Sequence, residues 1–547
     1  MSGRIFIIGI DGGDYNLINK WTEEGKLPNL NKIKGEGCFG PLRSTIPPIT
    51  GAAWSTFQTG TNPGKHGAFN WFKRQEGEYR AAPVTSRDIS EPTLWKILGK
   101  QNKKVGVIGV PVTYPPEDVN GFLIPGLLTP DEAEKQSVPP DLIDEVREIA
   151  PEFEFSPSEW TRAYDRYDWV DDMFRGVDDK VKVTEHLMDK KEWDLMMVHF
   201  MESDQVQHFM WNYLEDEEED WNPVLEIYQK VDWAIGHLLD KLDSEDTVLI
   251  MSDHGFGPLR YDFHIDTWLQ KEGYIKFRKN FGTLFKETFF KAGVTKESLF
   301  PVGEMLYPLV NKIGFLSNFY DIASNPLLEW LFLSSQNVDW ENTKAYSHSE
   351  IGHIYLNVKG REPRGAVDPE DVPALRQELI EKLKELKNPY TGKKIVGEIY
   401  EGDEYYHGPK AHLAPDIIFL PNDMEIIGKG AYEFLCHKVV SKSRYQTGHH
   451  RMEGVFMARG PKVKAGKEMK AHIMDLVPTI LYGMDLPVLD SMDGEVLIEA
   501  FRDVYSKEDI KKVSKEELGL DDDDDGGDDP DDDDEMRRRL KGLGYVS

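Results

Sequence analysis

The 547-residue sequence predicts an α/β sandwich, with a mostly parallel central sheet interrupted by inserted cap segments. Three observations carry this expectation. Short apolar and β-branched runs alternate with amphipathic stretches of helical period. Acidic and histidine side chains follow several of those runs, at the strand ends where open α/β sheets bind ligands. The composition, 39% hydrophobic with 11% aromatic residues and 13 Trp, supports a sizeable core and excludes a disordered chain.

In chain order, the candidate strands are residues 4–10, 104–110, 195–200, 247–252, 354–358, 417–420 and 455–458. Between them lie helical patterns at 29–36, 92–100, 177–190, 224–242 and 373–386. Two stretches break the alternation. Residues 115–175 are rich in Pro, Trp, Tyr and acids, and residues 276–345 are rich in Phe and Leu, including an apolar run at 327–333. Both read as insertions that cap the strand ends. For the second, ordinary core helices are the main alternative, ahead of a peripheral membrane or hydrophobic-ligand surface. Residues 521–535 hold eleven Asp and one Glu with no basic residue, a solvated and disordered run, before a short basic amphipathic end.

Charge and cysteine content narrow the function classes. Lys and Arg number 65 against 97 Asp and Glu, a net charge of −32, of which the 521–535 run supplies twelve and leaves −20. Such a field repels phosphate backbones and excludes electrostatic wrapping of duplex nucleic acid. A phosphorylated substrate would need a local cation. Cys38 and Cys436 are the only cysteines, which excludes a disulfide scaffold and a cysteine-built zinc cluster. The N-terminal apolar run is short and ends in Asp-Gly-Gly, the pattern of a buried strand rather than a signal peptide. No run approaches the about 18 apolar residues of a membrane span, so a cytoplasmic protein is expected.

Several acids and histidines are placed for chemistry. Asp11 ends the first strand among glycines that let the backbone turn under a ligand. Asp204 and His208 stand at i and i+4, one above the other on a helix. Asp253 and His254 leave the end of another strand, and His449-His450 precedes the strand at 455–458. Together they form a nitrogen and oxygen ligand set for zinc or manganese. Thr50 follows the stiff Pro47-Pro48 and opens an apolar helical run, at a helix N-terminus that favours anions. From that window alone, the ordinary N-cap reading of Thr50 wins.

With residues 9–13, 47–67, 204–208, 252–257 and 450–454 taken together, the chain resembles the alkaline phosphatase superfamily. The likeness is to its type I phosphodiesterase/nucleotide pyrophosphatase branch, and within that to an archaeal and bacterial group of phosphohydrolases or phosphomutases. Gly360-Arg361, Ala414-Pro415-Asp416 and residues 540–545 share it, and it covers roughly residues 1–275 and 346–500. The resemblance implies an alkaline-phosphatase-like αβα sandwich. Its catalytic core would occupy 1–275, with an insertion at about 115–175, and 346–505, separated by a helical cap at 276–345 and followed by the tail 506–547.

The resemblance also implies a phosphohydrolase with two divalent metal ions, zinc ahead of manganese. Asp204, His208 and His450 would hold one ion, His450 being favoured over His449 by its four-residue spacing to Gly454. Asp11, Asp253 and His254 would hold the other, with Thr50 bridging or adjacent as nucleophile. Metal lowers the pKa of a hydroxyl enough for attack on phosphorus, so a phospho-threonine intermediate and net retention are expected. Asn70 is the candidate phosphate-holding residue, whereas His66 reads as structural. The substrate would be a phosphorylated small molecule.

Some features depart from the family. Where nucleotide-directed members carry Thr-Phe-Pro-Asn, this chain has Thr50-Gly51-Ala52-Ala53. The Cys-x-Pro-x-Arg motif of sulfatases and the Asp-Ser nucleophile of cofactor-independent phosphoglycerate mutases are absent. Two alternatives stay open: a phosphomutase or phosphomonoesterase on the same site, and a non-catalytic scaffold that uses the acidic tail and the hydrophobic insert.

Overall fold

The computed structural model describes residues 3–75, 77–79, 81–160, 166–216, 220–298, 332–348, 351–430, 434–502, 508, 510–520 and 530–543. At its centre is a large sheet, with strands in the order Lys467–Glu468, Cys38–Arg43, Glu453–Arg459, Thr247–Met251, Ile5–Ile10, Leu195–Phe200, Val105–Ile108 and Gly121–Ile124. Ala471–His472 also pairs with Cys38–Arg43. Every pairing is parallel except those of Glu453–Arg459, which runs antiparallel to both its neighbours.

The first strand shows why a sandwich forms. Ile5–Ile10 is buried along its whole length, as a strand covered on both faces must be. Phe6, Ile8 and Ile10 join one apolar cluster, and Ile5 and Ile7 join the other. The first face packs helices Tyr15–Glu23, Pro28–Glu36, Arg166–Lys190 and Pro223–Leu239. The second packs Thr50–Thr59, Leu94–Lys100 and Leu476–Gly483. The result is a mixed α/β sandwich around a mostly parallel sheet, as the sequence predicts.

Four strands of the sheet lie outside the expected set, two of them the two-residue strands Lys467–Glu468 and Ala471–His472. Cys38–Arg43 contains Gly40 and Pro41, poor strand formers, but pairing on both edges overrides propensity. A β-carbon on Gly40 would fall 1.7 Å from the Met469 carbonyl oxygen, so only glycine fits there. The four-residue edge strand Gly121–Ile124 lies within the 115–175 stretch read as inserted. Helix Arg166–Lys190 begins eleven residues before the expected start, because Trp169, Val170 and Met173 extend its buried face.

A second layer packs against the segment before Thr50, through Ile46 with Ile418 and Leu420 and through Ile49 with Ile427. It comprises a four-stranded sheet (Ala345–Tyr346, His353–Leu356, Ile417–Pro421, Val396–Glu401) and a three-stranded sheet (Ile426–Lys429, Tyr261–His264, Val440–Lys442), which share one apolar cluster. Within 276–345, helix Phe281–Lys291 is formed, while residues 299–331, with most of the 327–333 run, lie outside the described residues. So does the acidic segment 521–529. Beyond it, helix Pro530–Gly542 buries Met536 and Leu540 in a cluster with Trp71, Phe72 and Tyr114. Among the described residues, no helix is long and apolar enough to cross a membrane.

Candidate active site

Three adjacent parallel strands, Thr247–Met251, Ile5–Ile10 and Leu195–Phe200, end on one edge of the sheet. The residues that follow them therefore converge. Asp11 comes directly after Ile5–Ile10, Asp253 two residues after Thr247–Met251, and Asp204 on the first turn of helix Glu202–Glu215 after Leu195–Phe200. That helix stacks His208 one turn beyond Asp204, with His208 Nε2 3.5 Å from Asp204 Oδ2. An antiparallel ribbon of Gly255–Pro258 and Gly448–Arg451 sets His450 opposite Phe256 and so beside His254. His450 Nε2 lies 3.3 Å from Asp204 Oδ1 and 3.1 Å from His208 Nε2.

All seven of Asp11, Thr50, Asp204, His208, Asp253, His254 and His450 are buried, and five of them make two ligand groups that share Asp204, with Asp253 and Thr50 beside His254. Asp204, His208 and His450 form one group, and Asp11, Asp204 and His254 form the other. Asp253 Oδ2 stands 3.1 Å from His254 Nε2. His449 packs its ring beside His208 and His450 and accepts the His450 backbone N–H at its own Nδ1. Thr50 is the first residue of a wholly buried helix, and Ile49 occupies the N-cap without a side-chain bond. The Thr50 hydroxyl thus performs no capping and lies 3.1 Å from His254 Nε2.

The hydrogen bonds fix which imidazole nitrogens face the cluster. His208, His254 and His450 place Nδ1 against the carbonyls of Gly448, Gly255 and Pro48, at 3.2, 3.1 and 2.8 Å. A carbonyl only accepts, so each Nδ1 carries the hydrogen and each Nε2 keeps its lone pair, the tautomer of a metal ligand. The approach of His208 Nε2 to His450 Nε2 then brings two lone pairs together, which needs a cation to be favourable. Asp11 Oδ1 and Asp253 Oδ2 are buried and accept no hydrogen bond. Divalent metal fits this donor set of imidazoles and carboxylates.

Electrostatics point the same way. Burial, and then the Asp204 charge, push the Asp11 carboxyl well above its ordinary value; burial, Asp11 and Asp204 do the same to Asp253. Burial also raises Asp204, but His208, His450 and His254 outweigh it and hold that carboxyl below its ordinary range. Burial lowers His208 to about 4 and drives His254 well down. Without cations, burial therefore works against charge on His208 and His254 and against ionisation of Asp11 and Asp253. Bound dications invert that balance.

Asn70 is 5% exposed; its Oδ1 accepts the Trp71 N–H, and its Nδ2 is buried without an acceptor. Its backbone carbonyl would stand 3.2 Å from a β-carbon on Gly51, which places it against the turn that carries Thr50. His66 bonds Thr56 Oγ1 at 2.9 Å and the Ala68 N–H, as a structural histidine does.

Two residues at the site escape sequence reasoning. Trp54 Nε1 and His199 Nε2 both lie 2.9 Å from Asp11 Oδ2, and His199 Nδ1 lies 2.9 Å from the Gly109 carbonyl. A β-carbon on Gly9 would come 2.7 Å from the Trp54 ring, so glycine in this strand makes room for the clamp. The available signal was His199 itself, one polar residue inside the apolar run Leu195–Phe200.

No curated protein matches the sequence. The family model for type I phosphodiesterase / nucleotide pyrophosphatase matches residues 5–433, which takes in all the clustered residues except His450. The chain therefore belongs to the type I phosphodiesterase / nucleotide pyrophosphatase family of the alkaline phosphatase superfamily, metal-dependent phosphoric ester hydrolases that act on small phosphorylated substrates.

Proposed function

We propose that this hydrolase cleaves a phosphodiester or pyrophosphate bond of a small metabolite by attack of Thr50 Oγ1 on phosphorus. The observation that carries this reading is the Thr50 hydroxyl, buried in the first turn of its helix and 3.1 Å from His254 Nε2 within the carboxylate cluster. Asp204, His208 and His450 would hold one divalent ion, and Asp11, Asp253 and His254 the other; three imidazoles favour zinc over manganese. Bound there, the ions supply charge that acidifies the hydroxyl and offsets the phosphoryl oxygens.

The chain's own groups supply the rest. The first-turn N–H groups of Thr50–Thr59 face an anion with the positive end of the helix dipole. Asn70 Nδ2, a buried donor without an acceptor, is available to a non-bridging oxygen. As the bond from Thr50 Oγ1 to phosphorus forms, the bond to the leaving oxygen breaks, giving a phospho-threonine that water then cleaves from the opposite side. Two in-line displacements give net retention. The family match supports diesters and pyrophosphates ahead of monoesters.

The test is hydrolysis of bis-p-nitrophenyl phosphate and p-nitrophenyl phosphate by wild type and Thr50→Ala, with metal content measured on both. The diester is the expected preferred substrate. Thr50→Ala is expected to lose on the order of 10³-fold or more in kcat while keeping its ions. Full activity in that variant would remove Thr50 as nucleophile.

A further inference from the structure

A second set of metal-ligating side chains lies away from the active site, where the three-stranded sheet meets the segment after helix Phe281–Lys291. It consists of His264, Glu297 and Cys436, whose ligand atoms (a ring nitrogen, a carboxylate oxygen and Sγ) all lie within 4.8 Å of one another. His264 is 5% and Cys436 4% exposed, and Glu297 Oε2 is buried and accepts no hydrogen bond.

The backbone presets these three residues. The His264 N–H donates to the Val439 carbonyl at 2.8 Å, and the Glu297 N–H to the Leu435 carbonyl at 3.2 Å. Thr267 Oγ1 donates to the Cys436 carbonyl at 2.8 Å. The stretch carrying Cys436 is thus pinned from both sides, with its thiol near both the imidazole and the carboxylate. Ser441 Oγ, 3.0 Å from His264 Nε2, orients the ring. Ligands locked by supporting hydrogen bonds are what a metal site requires.

Without a cation, the Cys436 thiol hydrogen-bonds the Glu297 side chain, and Glu297 Oε2 is left with no donor. Burial and the neighbouring Glu297 carboxylate push the Cys436 thiol up to about 12, and burial lowers His264 to about 4, leaving a neutral ring with a lone pair. Arg444 Nε lies 4.0 Å from the other carboxylate oxygen of Glu297.

We propose that His264, Glu297 and Cys436 bind one divalent transition-metal ion of the zinc type. The ion displaces the thiol proton to solvent and ties the segment around Glu297 to the three-stranded sheet. A sulfur, nitrogen and oxygen donor set suits zinc and excludes magnesium and calcium, which take oxygen alone. This is a mixed site with a single thiolate, unlike the cysteine-built cluster that two cysteines exclude. It stands independently of the proposed hydrolysis.

Cobalt(II) separates the two sites, because thiolate coordination gives a sulfur-to-cobalt charge-transfer band in the near ultraviolet and the Asp11–His450 cluster contains no sulfur. The full chain, stripped with chelator and titrated with Co²⁺, is expected to develop that band to saturation at one thiolate per chain. Cys436→Ser should abolish it. Cys38→Ser should keep it, since Cys38 Sγ faces the carbonyls of Lys464 and Ala500 elsewhere in the core. Glu297→Gln, a near-isosteric change that spares the thiol, should weaken Co²⁺ binding by about tenfold or more. No band in the wild type, a band unchanged in Cys436→Ser, or unaltered affinity in Glu297→Gln would overturn the proposal.

Discussion

Asp416 and Glu362 are nearly as buried as Asp11 and Asp253, yet the two pairs are built on opposite terms. Arg361 forks onto both oxygens of Asp416 at 3.0 and 2.7 Å, and the Leu356 N–H adds a third bond. Glu362 accepts from Arg74, Arg361 and the Val358 N–H at 2.8, 2.8 and 2.7 Å. Asp11 and Asp253 each keep one oxygen with no donor at all. A buried acid supplied with guanidinium and backbone N–H holds two segments together. A buried acid left half-bonded beside imidazole lone pairs is a place for a cation. The contrast separates a structural carboxylate from a functional one where burial alone does not.

The largest effect expected from this contrast is on the structural side. Asp416→Ala removes the bidentate partner of Arg361, leaving it Glu362 and the Leu356 carbonyl, and should cost about 3 kcal/mol in urea unfolding, with or without chelator. That is the low end for a broken buried pair, because 29% of the Arg361 side chain still reaches solvent. A loss that appeared only in metal-loaded protein would erase the distinction.

Asp253→Asn should act in the opposite direction. In chelated protein it removes a carboxylate whose Oδ2 has no donor, and it should gain about 1–2 kcal/mol. With metal present it should lose most of the stabilisation that the ions confer. The pH dependence fixes the sign. The folded Asp253 carboxyl sits well above its ordinary value, so the folded state holds a proton that the unfolded chain releases. That linkage erodes wild-type stability as pH rises from the ordinary carboxylate range through the folded value. The advantage of Asp253→Asn in chelator should therefore grow with pH. A variant less stable than wild type in chelator would put Asp253 in the class of Asp416.

Much of the site was legible because parallel strands leave little choice. A residue directly after an apolar run must emerge at the carboxyl edge, which is how Asp11, Asp253 and His254 stood out. The i, i+4 spacing of Asp204 and His208, and the apolar helix opening at Thr50, were local signals of the same kind. Contacts made at long range were not legible. Trp54 and His199 reach Asp11 from 43 and 188 residues away, and each sits in an apolar element where it looks like core. Arg361 and Asp416 are 55 residues apart, and no local pattern says which acid it neutralises. Neighbouring His449 and His450 differ only in strand register, which turns one side chain toward Asp204 and the other aside.

Trp54→Phe tests the contrast at its finest grain and should give the smallest effect. Phenylalanine keeps a ring over Gly9 and against His199, whose ring centroid lies 4.6 Å from that of Trp54, but it deletes the Nε1–H that holds Asp11 Oδ2. The loss of one hydrogen bond to a carboxyl that burial keeps from ionising should cost about 1 kcal/mol in stability. Ion affinity should fall by roughly tenfold, as when a ligand loses its outer partner. Trp54 orients Asp11 without touching the substrate, so its defect should appear in the metal concentration needed for activity. Excess Zn²⁺ should restore kcat in Trp54→Phe and should not restore it in Thr50→Ala. If excess metal leaves Trp54→Phe impaired while its stability matches wild type, Trp54 does something other than hold Asp11, and the half-bonded carboxylate no longer marks the metal ligand on its own.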